Sequence, residues 1–123
     1  MEYLEIVKDP AGHMGQNRNL PPDLKTKARQ LCWEFNQSPP DAVDRRQEIL
    51  RELFGPCHPL TFIEPTFRCD FGFNIHTHGL TVINYNCVIL DTSPVHIGEN
   101  AFIAPGVCIA CSGHSKDAAQ RAA

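Results

Sequence analysis

The sequence of 123 residues has no run of about 18 apolar residues, the minimum expected for a membrane-spanning helix. It also lacks the basic and then apolar leader that directs secretion. The net charge is only −3, so neither a nucleic acid nor an anionic membrane surface is expected as a partner. We therefore predict a cytoplasmic protein with no membrane and no nucleic acid among its partners.

Cysteine is not scarce, with six residues, but the predicted compartment argues against disulfides. One stretch suggests metal binding instead: Cys108 and Cys111 precede His114 closely, and His76 and His78 offer two more imidazoles. A structural zinc site needs four converging ligands. The repeat described below accounts for the segment from Cys108 onward without metal, so no metal site is predicted.

The first part of the chain has the period of helices. One helix face is formed by apolar residues spaced three and four apart: Leu24, Ala28, Leu31, Cys32 and Phe35. Ser38 is predicted to begin a second helix as its N-cap, with Pro39 in the first turn and Asp41 completing a capping box. We predict a helical hairpin within an N-terminal helical module, residues 1–56.

A six-residue repeat replaces the helical period after Pro59. Its markers are isoleucines at spacings of six, eight, six and six residues: Ile83, Ile89, Ile97, Ile103 and Ile109. Such a period suits short strands that form the sides of a triangular coil, with one aliphatic residue per side pointing inward. Ser93-Pro94 accounts for the longer spacing as a bulge at one corner. Ordinary antiparallel strands explain this register less well.

From Arg29 to about Arg121 the sequence resembles the maltose/galactoside O-acetyltransferase family of hexapeptide-repeat acyltransferases. The strings that carry the resemblance are Ala28-Arg29-Gln30-Leu31, the segment from Phe62 to Gly72, Asn84-Tyr85-Asn86-Cys87, Ile97-Gly98-Glu99-Asn100, Ile103-Ala104-Pro105-Gly106-Val107 and Gly113-His114. The resemblance implies an α+β, mainly β fold. In it, the N-terminal helical hairpin precedes a partial left-handed parallel β-helix, residues 57–123.

The resemblance also implies an acetyl-CoA-dependent O-acetyltransferase that acts on a sugar hydroxyl. In the family, the histidine that matches His114 is the general base, a role that suits an imidazole titrating near neutral pH. Asn84 matches the asparagine that stabilises the developing oxyanion. Asp70 and Asp91 match positions that hydrogen-bond the acceptor sugar. Acetyl-CoA is the expected acyl donor, and the full-length form is expected to be a homotrimer.

The sequence departs from the family in three places. Family members continue for several coils beyond the position of Ala123, so the resemblance implies a C-terminally truncated chain that holds the acceptor-and-base half of the enzyme. The segment from His76 to Leu80 lacks the usual corner residues, so an irregular first coil is expected. The N-terminal stretch lacks the family's usual start, so the acceptor is not identified. The alternative is a catalytically inactive truncated fragment or a subunit-interaction module.

Overall fold

The computed structural model describes residues 3–10, 23–113 and 116–119. Three helices, α1 to α3, come first in this part of the chain: Tyr3–Lys8, Thr26–Gln37 and Val43–Leu53. Eight short strands, β1 to β8, follow within the same residues: Thr61–Ile63, Phe67–Cys69, Ile75–Thr77, Thr81–Ile83, Cys87–Leu90, Val95–Ile97, Ala101–Ile103 and Cys108–Ala110. No helix among these elements is long and apolar enough to cross a bilayer.

The strands form three parallel sheets that the chain visits in turn. The first wall has the order β1-β4-β7, the second β2-β5-β8 and the third β3-β6. Thr61 pairs with Thr81, and Thr81 with Ala101, so the chain returns to the same wall after 20 residues, from 61 to 81. This is the strand order of a coiled stack, because each wall collects one strand from every coil.

The isoleucines of the repeat face the inside of the stack. Ile83, Ile89 and Ile97 are buried, while Ile103 and Ile109 pack partly buried against the same core. Ile63, Ile83 and Ile103 are aligned across the first wall by its register. Since side chains alternate between the two faces of a strand, a fixed register puts these residues in one interior column.

The chain takes longer corners after the second wall than after the first. Residues 91–94 separate β5 from β6, and residues 70–74 separate β2 from β3. The predicted extra length at Ser93-Pro94 therefore recurs in the preceding coil. The irregular first coil expected from His76 to Leu80 is not observed, because β3 pairs with β6 in regular register. The strand pattern already begins at Thr61, in front of the isoleucine repeat.

The two longer helices lie over the outer strand edges of the first coil. Asn36 on α2 accepts from the backbone N–H of Phe67 at 2.8 Å and donates to its carbonyl at 3.0 Å. Gln47 on α3 donates to the carbonyl of Thr61 at 2.8 Å. An open strand edge exposes unpaired backbone groups, so these two amide side chains act in place of a neighbouring strand.

The third wall is capped by backbone instead of side chains. Gly55 donates its N–H to the carbonyl of Ile75 at 3.1 Å, and Thr77 donates to the carbonyl of Pro56 at 2.9 Å. Gly55 is close to the chain it caps, since a Cβ there would lie 2.5 Å from the carbonyl oxygen of Phe73. All three walls of the first coil thus have their outer edge covered by residues 26–56.

The predicted capping role of Ser38 is wrong. The second predicted helix begins at Val43, preceded by Ala42, and Ser38 has the extended backbone of a residue that ends α2. Because a residue before proline is driven out of the helical region, Pro39 and Pro40 delay the next helix. The Ser38 hydroxyl donates to the carbonyl of Phe35 at 2.6 Å.

Candidate functional site

The predicted site residues lie at two different corners of the coil. Asn84 follows β4 at the corner between the first and second walls. Asp70 and Asp91 follow β2 and β5 at the corner between the second and third walls, and Gly113 lies in the segment after β8 on the same side. Strand β5, which has 4 residues, therefore separates the two corners. Its length is roughly 13 Å at about 3.3 Å per residue. The structure does not bring Asn84 together with the two aspartates within one chain.

Asp91 is fully buried and binds backbone rather than solvent. Its Oδ1 accepts from the N–H groups of Asp70 at 3.1 Å and Phe71 at 2.9 Å. Its Oδ2 accepts from Gly72 at 2.8 Å and Asn74 at 3.3 Å. The carboxylate of the second coil thus holds the corner of the first coil through four backbone N–H groups. Its predicted contact with sugar hydroxyls stays a prediction.

Burial raises the pKa of the Asp91 carboxyl, because the charged form loses its hydration. The backbone N–H groups of Phe71, Gly72 and Asn74 act in the opposite direction. They stabilise the carboxylate where water cannot. At this corner the fold therefore holds several backbone N–H groups in place around one buried carboxylate, that of Asp91.

Asn74 extends this arrangement to the N-terminal helix. Its side-chain amide donates to the carbonyl of Asp91 at 2.9 Å and to the carbonyl of Val7 at 2.6 Å. Both Asn74 and Val7 are buried. The end of α1 is therefore held against the same corner that carries Asp70 and Asp91.

Asp70 is the more accessible of the two aspartates. Its side chain is 17% exposed and lies 3.5 Å from the Nζ atom of Lys25. Because Asp91 binds its N–H, the position of Asp70 depends on the buried carboxylate. Asp70 remains available for a ligand hydroxyl, whereas both oxygens of Asp91 already have partners.

The side chain of Asn84 is partly exposed, and its Oδ1 accepts from the backbone N–H of Tyr85 at 2.9 Å. Its own N–H donates to the carbonyl of Ile103 in the next coil. The side-chain amide nitrogen is the group that the predicted oxyanion role requires. His114, the predicted general base, lies outside the described residues, as does Ser115.

The outer face of the third wall carries three imidazoles that the predicted mechanism does not use. His76 and His96 are register partners on β3 and β6, and His78 follows β3. The residues that the structure describes include no group of three or more His, Cys, Asp or Glu side chains that could hold a metal ion. Sequence spacing pointed to His76 and His78, but their pairing with His96 depends on the coil register.

The comparisons with known proteins agree with this architecture. Residues 23–58 match the family model described as the maltose acetyltransferase hexapeptide capping motif. This range contains α2, α3 and the Gly55–Pro56 segment, the elements that cover the outer edges of the first coil. Both the strand order and this motif are similar to those of hexapeptide-repeat acetyltransferases.

The chain is also similar to the maltose and galactoside O-acetyltransferases, as the sequence predicted. It is 33% identical over 93 residues to the galactoside O-acetyltransferase of Escherichia coli, which covers 76% of this chain and 46% of that protein. A maltose O-acetyltransferase from Clostridium difficile aligns with a TM-score of 0.79 and 35% identity, over 81% of this chain and 54% of that one.

A third comparison involves a structure with a bound acyl donor. The hexapeptide-repeat acetyltransferase of Vibrio cholerae in complex with acetyl coenzyme A aligns with a TM-score of 0.80 and 32% identity. The alignment covers 98% of this chain and 64% of that chain. The chain spans about half the length of the curated relatives that it matches.

Proposed function

We propose that this chain supplies the acceptor and base part of an acetyl-CoA-dependent O-acetyltransferase acting on a sugar hydroxyl. The observation that carries the proposal is the alignment of 98% of the chain with an acetyltransferase solved in complex with acetyl coenzyme A. The galactoside and maltose acetyltransferases among the similar proteins support a sugar as the acceptor. The proposal includes a left-handed coil capped by the hairpin of α2 and α3.

In the proposed mechanism, His114 removes the proton from the attacking hydroxyl. A sugar hydroxyl is a weak nucleophile at neutral pH, and an imidazole is suited to activate it. The oxygen then attacks the thioester carbonyl, and the amide of Asn84 donates to the oxyanion that forms. Collapse of this intermediate breaks the carbon–sulfur bond, and coenzyme A leaves as the thiol with the proton that His114 had taken up. Asp70 orients the acceptor through its hydroxyl groups. Asp91 acts indirectly, because its carboxylate holds the corner of the chain on which Asp70 lies.

A homotrimer would resolve the separation of these residues. Asn84 lies at one corner, and Gly113, the residue before His114, lies after β8 on the side of the other corner. A site containing both Asn84 and His114 would therefore draw on a second copy. The first wall offers an apolar surface for such a contact, because its outward residues are register partners: Phe62, Val82 and Phe102. Phe62 is 43% and Phe102 70% exposed. Exposed aromatic side chains aligned in this way are typical of interaction surfaces.

The alternative function is a subunit-interaction module without turnover. The outward residues Phe62, Val82 and Phe102 of the first wall, called here the apolar column, favour this alternative. Release of free thiol from acetyl-CoA with a panel of sugars, together with the mass in solution by light scattering, distinguishes the two. We expect Phe102→Asp to lower the mass and any turnover together. Assembly through the column with no thiol release above an inactive control would favour the interaction module and contradict the enzyme.

Substitution of the base provides the sharper test of the mechanism. His114→Ala should lower turnover about 10²–10⁴-fold, and Asn84→Ala about 10²–10³-fold. His58→Ala is a matched control, since the His58 ring accepts from the N–H of Leu60, its neighbour two residues on. Normal turnover in His114→Ala would remove this histidine from the mechanism.

A further inference from the structure

A cleft of about 490 Å³ lies beside the third wall and borders the corner that carries Asp70 and Asp91. Its polar lining comes from Lys8 on α1, from Asn74 at that corner, and from His76 and His96 on the wall. Phe73, Pro56 and Pro94 contribute apolar surface. The side chains that line this cleft among the described residues include no carboxylate, so the cleft combines basic groups with apolar walls.

The imidazoles of the cleft form a connected cluster. The rings of His76 and His96 stack at 4.4 Å between centroids, with 20° between their planes. Nε2 of His78 lies 2.9 Å from Nδ1 of His96, and these two rings are 16° from coplanar with centroids 5.1 Å apart. Two ring nitrogens at this separation share one proton in a hydrogen bond.

This geometry favours a proton over a metal ion between His78 and His96. Imidazole nitrogens bind zinc at about 2.0–2.1 Å, and two nitrogens that face each other at 2.9 Å leave no room for an ion on the line between them. His76 lies beside this pair without a hydrogen-bond contact to it in the described structure. His78 and His96 are therefore joined by a hydrogen bond and not by a shared metal ion.

Every charged or titratable group that lines the cleft is basic. Burial of its ring lowers the pKa of His76, and His96 on β6 and His78 after β3 act in the same direction. Lys8 adds a positive charge from α1, with its Nζ 5.0 Å from the centre of the Phe73 ring. Gly55 and Pro56, which form the other side, bring no charge. An anion in the cleft would compensate this accumulation of basic groups.

We propose that the cleft binds a small oxyanion between Lys8 and the imidazoles of His76 and His96, and that binding is coupled to uptake of a proton by the cluster. The apolar lining would contact the organic part of a larger ligand that carries such a group. The proposal is independent of the acetyl-transfer function, because none of its residues takes part in that mechanism.

Sulfate and acetate are suitable probes, since the charge of each is constant between pH 6 and pH 8. Histidine Cε1–H resonances of the 123-residue chain, followed by NMR, report both binding and protonation. We expect saturable shifts of the His76 and His96 resonances, and tighter binding at low pH by up to about tenfold per pH unit. Tighter binding of sulfate than of acetate would assign a sulfate- or phosphate-like group, and the reverse order a carboxylate.

Matched variants test whether the cleft itself is responsible. Lys8→Met and His76→Gln should each weaken binding about tenfold or more, whereas Lys27→Met on α2 should leave it unchanged. His76→Gln should also reduce the dependence on pH. The proposal would be overturned if neither anion shifted the His76 resonance, if binding did not change with pH, or if Lys27→Met weakened it as much as Lys8→Met.

Discussion

The first coil and the strands β7 and β8 differ although both are built from the same repeat. At the first coil, the outer edges of β1, β2 and β3 are bonded to Gln47, Asn36 and the Gly55–Pro56 segment. At β7 and β8, within the described residues, Ile103 and Ile109 are only partly buried. In both regions the repeat points isoleucine side chains toward the interior. Their burial depends on the part of the chain that packs over them.

The largest effect expected from this comparison is on the interior isoleucines. Ile83→Ala should lower the free energy of unfolding by about 3–4 kcal/mol, because the side chain is fully buried between coils. Ile109→Ala should cost about 1 kcal/mol or less, since its side chain retains contact with solvent. Urea denaturation of both variants provides the measurement. Equal losses would show that the strands on both sides of Ile83 add nothing to its contribution.

Asp91→Asn should have the next largest effect, a loss of about 2–3 kcal/mol. The amide can accept through only one of its two ends, so its NH₂ group would face N–H donors that now bond the carboxylate. Thermal or urea unfolding measures the loss. The matched control is Asp44→Asn on the exposed first turn of α3, which should change stability little. A neutral Asp91→Asn would contradict the corner arrangement.

Asn36→Ala tests the covering layer directly. It leaves the backbone N–H and carbonyl of Phe67 without their side-chain partners, for which we expect a loss of about 2 kcal/mol. Gln47→Ala removes a single bond to Thr61 and should cost about half as much. If both variants unfolded like the wild type in urea, the helices would not be stabilising the strand edges through these bonds.

The smallest expected effect concerns pH and the third wall. Burial lowers the pKa of His76, so the unfolded chain binds a proton that the folded chain resists. Stability should therefore fall as the pH drops below the ordinary histidine value of 6.5 toward the lowered one. Urea midpoints between pH 8 and pH 5 should decline less in His76→Gln than in the wild type. The same decline in both would exclude His76 as the cause.

The sequence predicted much of the fold, because it depends on spacing along the chain. Isoleucines six residues apart indicated the inward columns, and apolar residues three and four apart indicated α2. The prediction that Ser38 is an N-cap was wrong for a local reason. Pro39 and Pro40 keep the preceding backbone out of the helical region, and this effect outweighed the preference of a serine side chain for capping.

The candidate site was less accessible to sequence reasoning. Family resemblance located Asn84, Asp70 and Asp91, but not the partners of their side chains. The four N–H groups that surround Asp91 come from a corner one coil earlier. Nothing in the local sequence of Asp91 indicates them, because they converge only once the coil has closed. The role of His114 stays a prediction.

The sequence by itself determined the periods of the chain, helical before Pro59 and six-residue after it, because each period follows from local backbone geometry. The tertiary structure decided which edges Asn36 and Gln47 cover, where Asp91 finds its donors, and that His78 meets His96. Each of these contacts joins residues far apart in the chain. The contacts of Asp91 and the His78–His96 pair form only when successive coils stack in one register, since a shift of a single residue would turn every side chain to the opposite face.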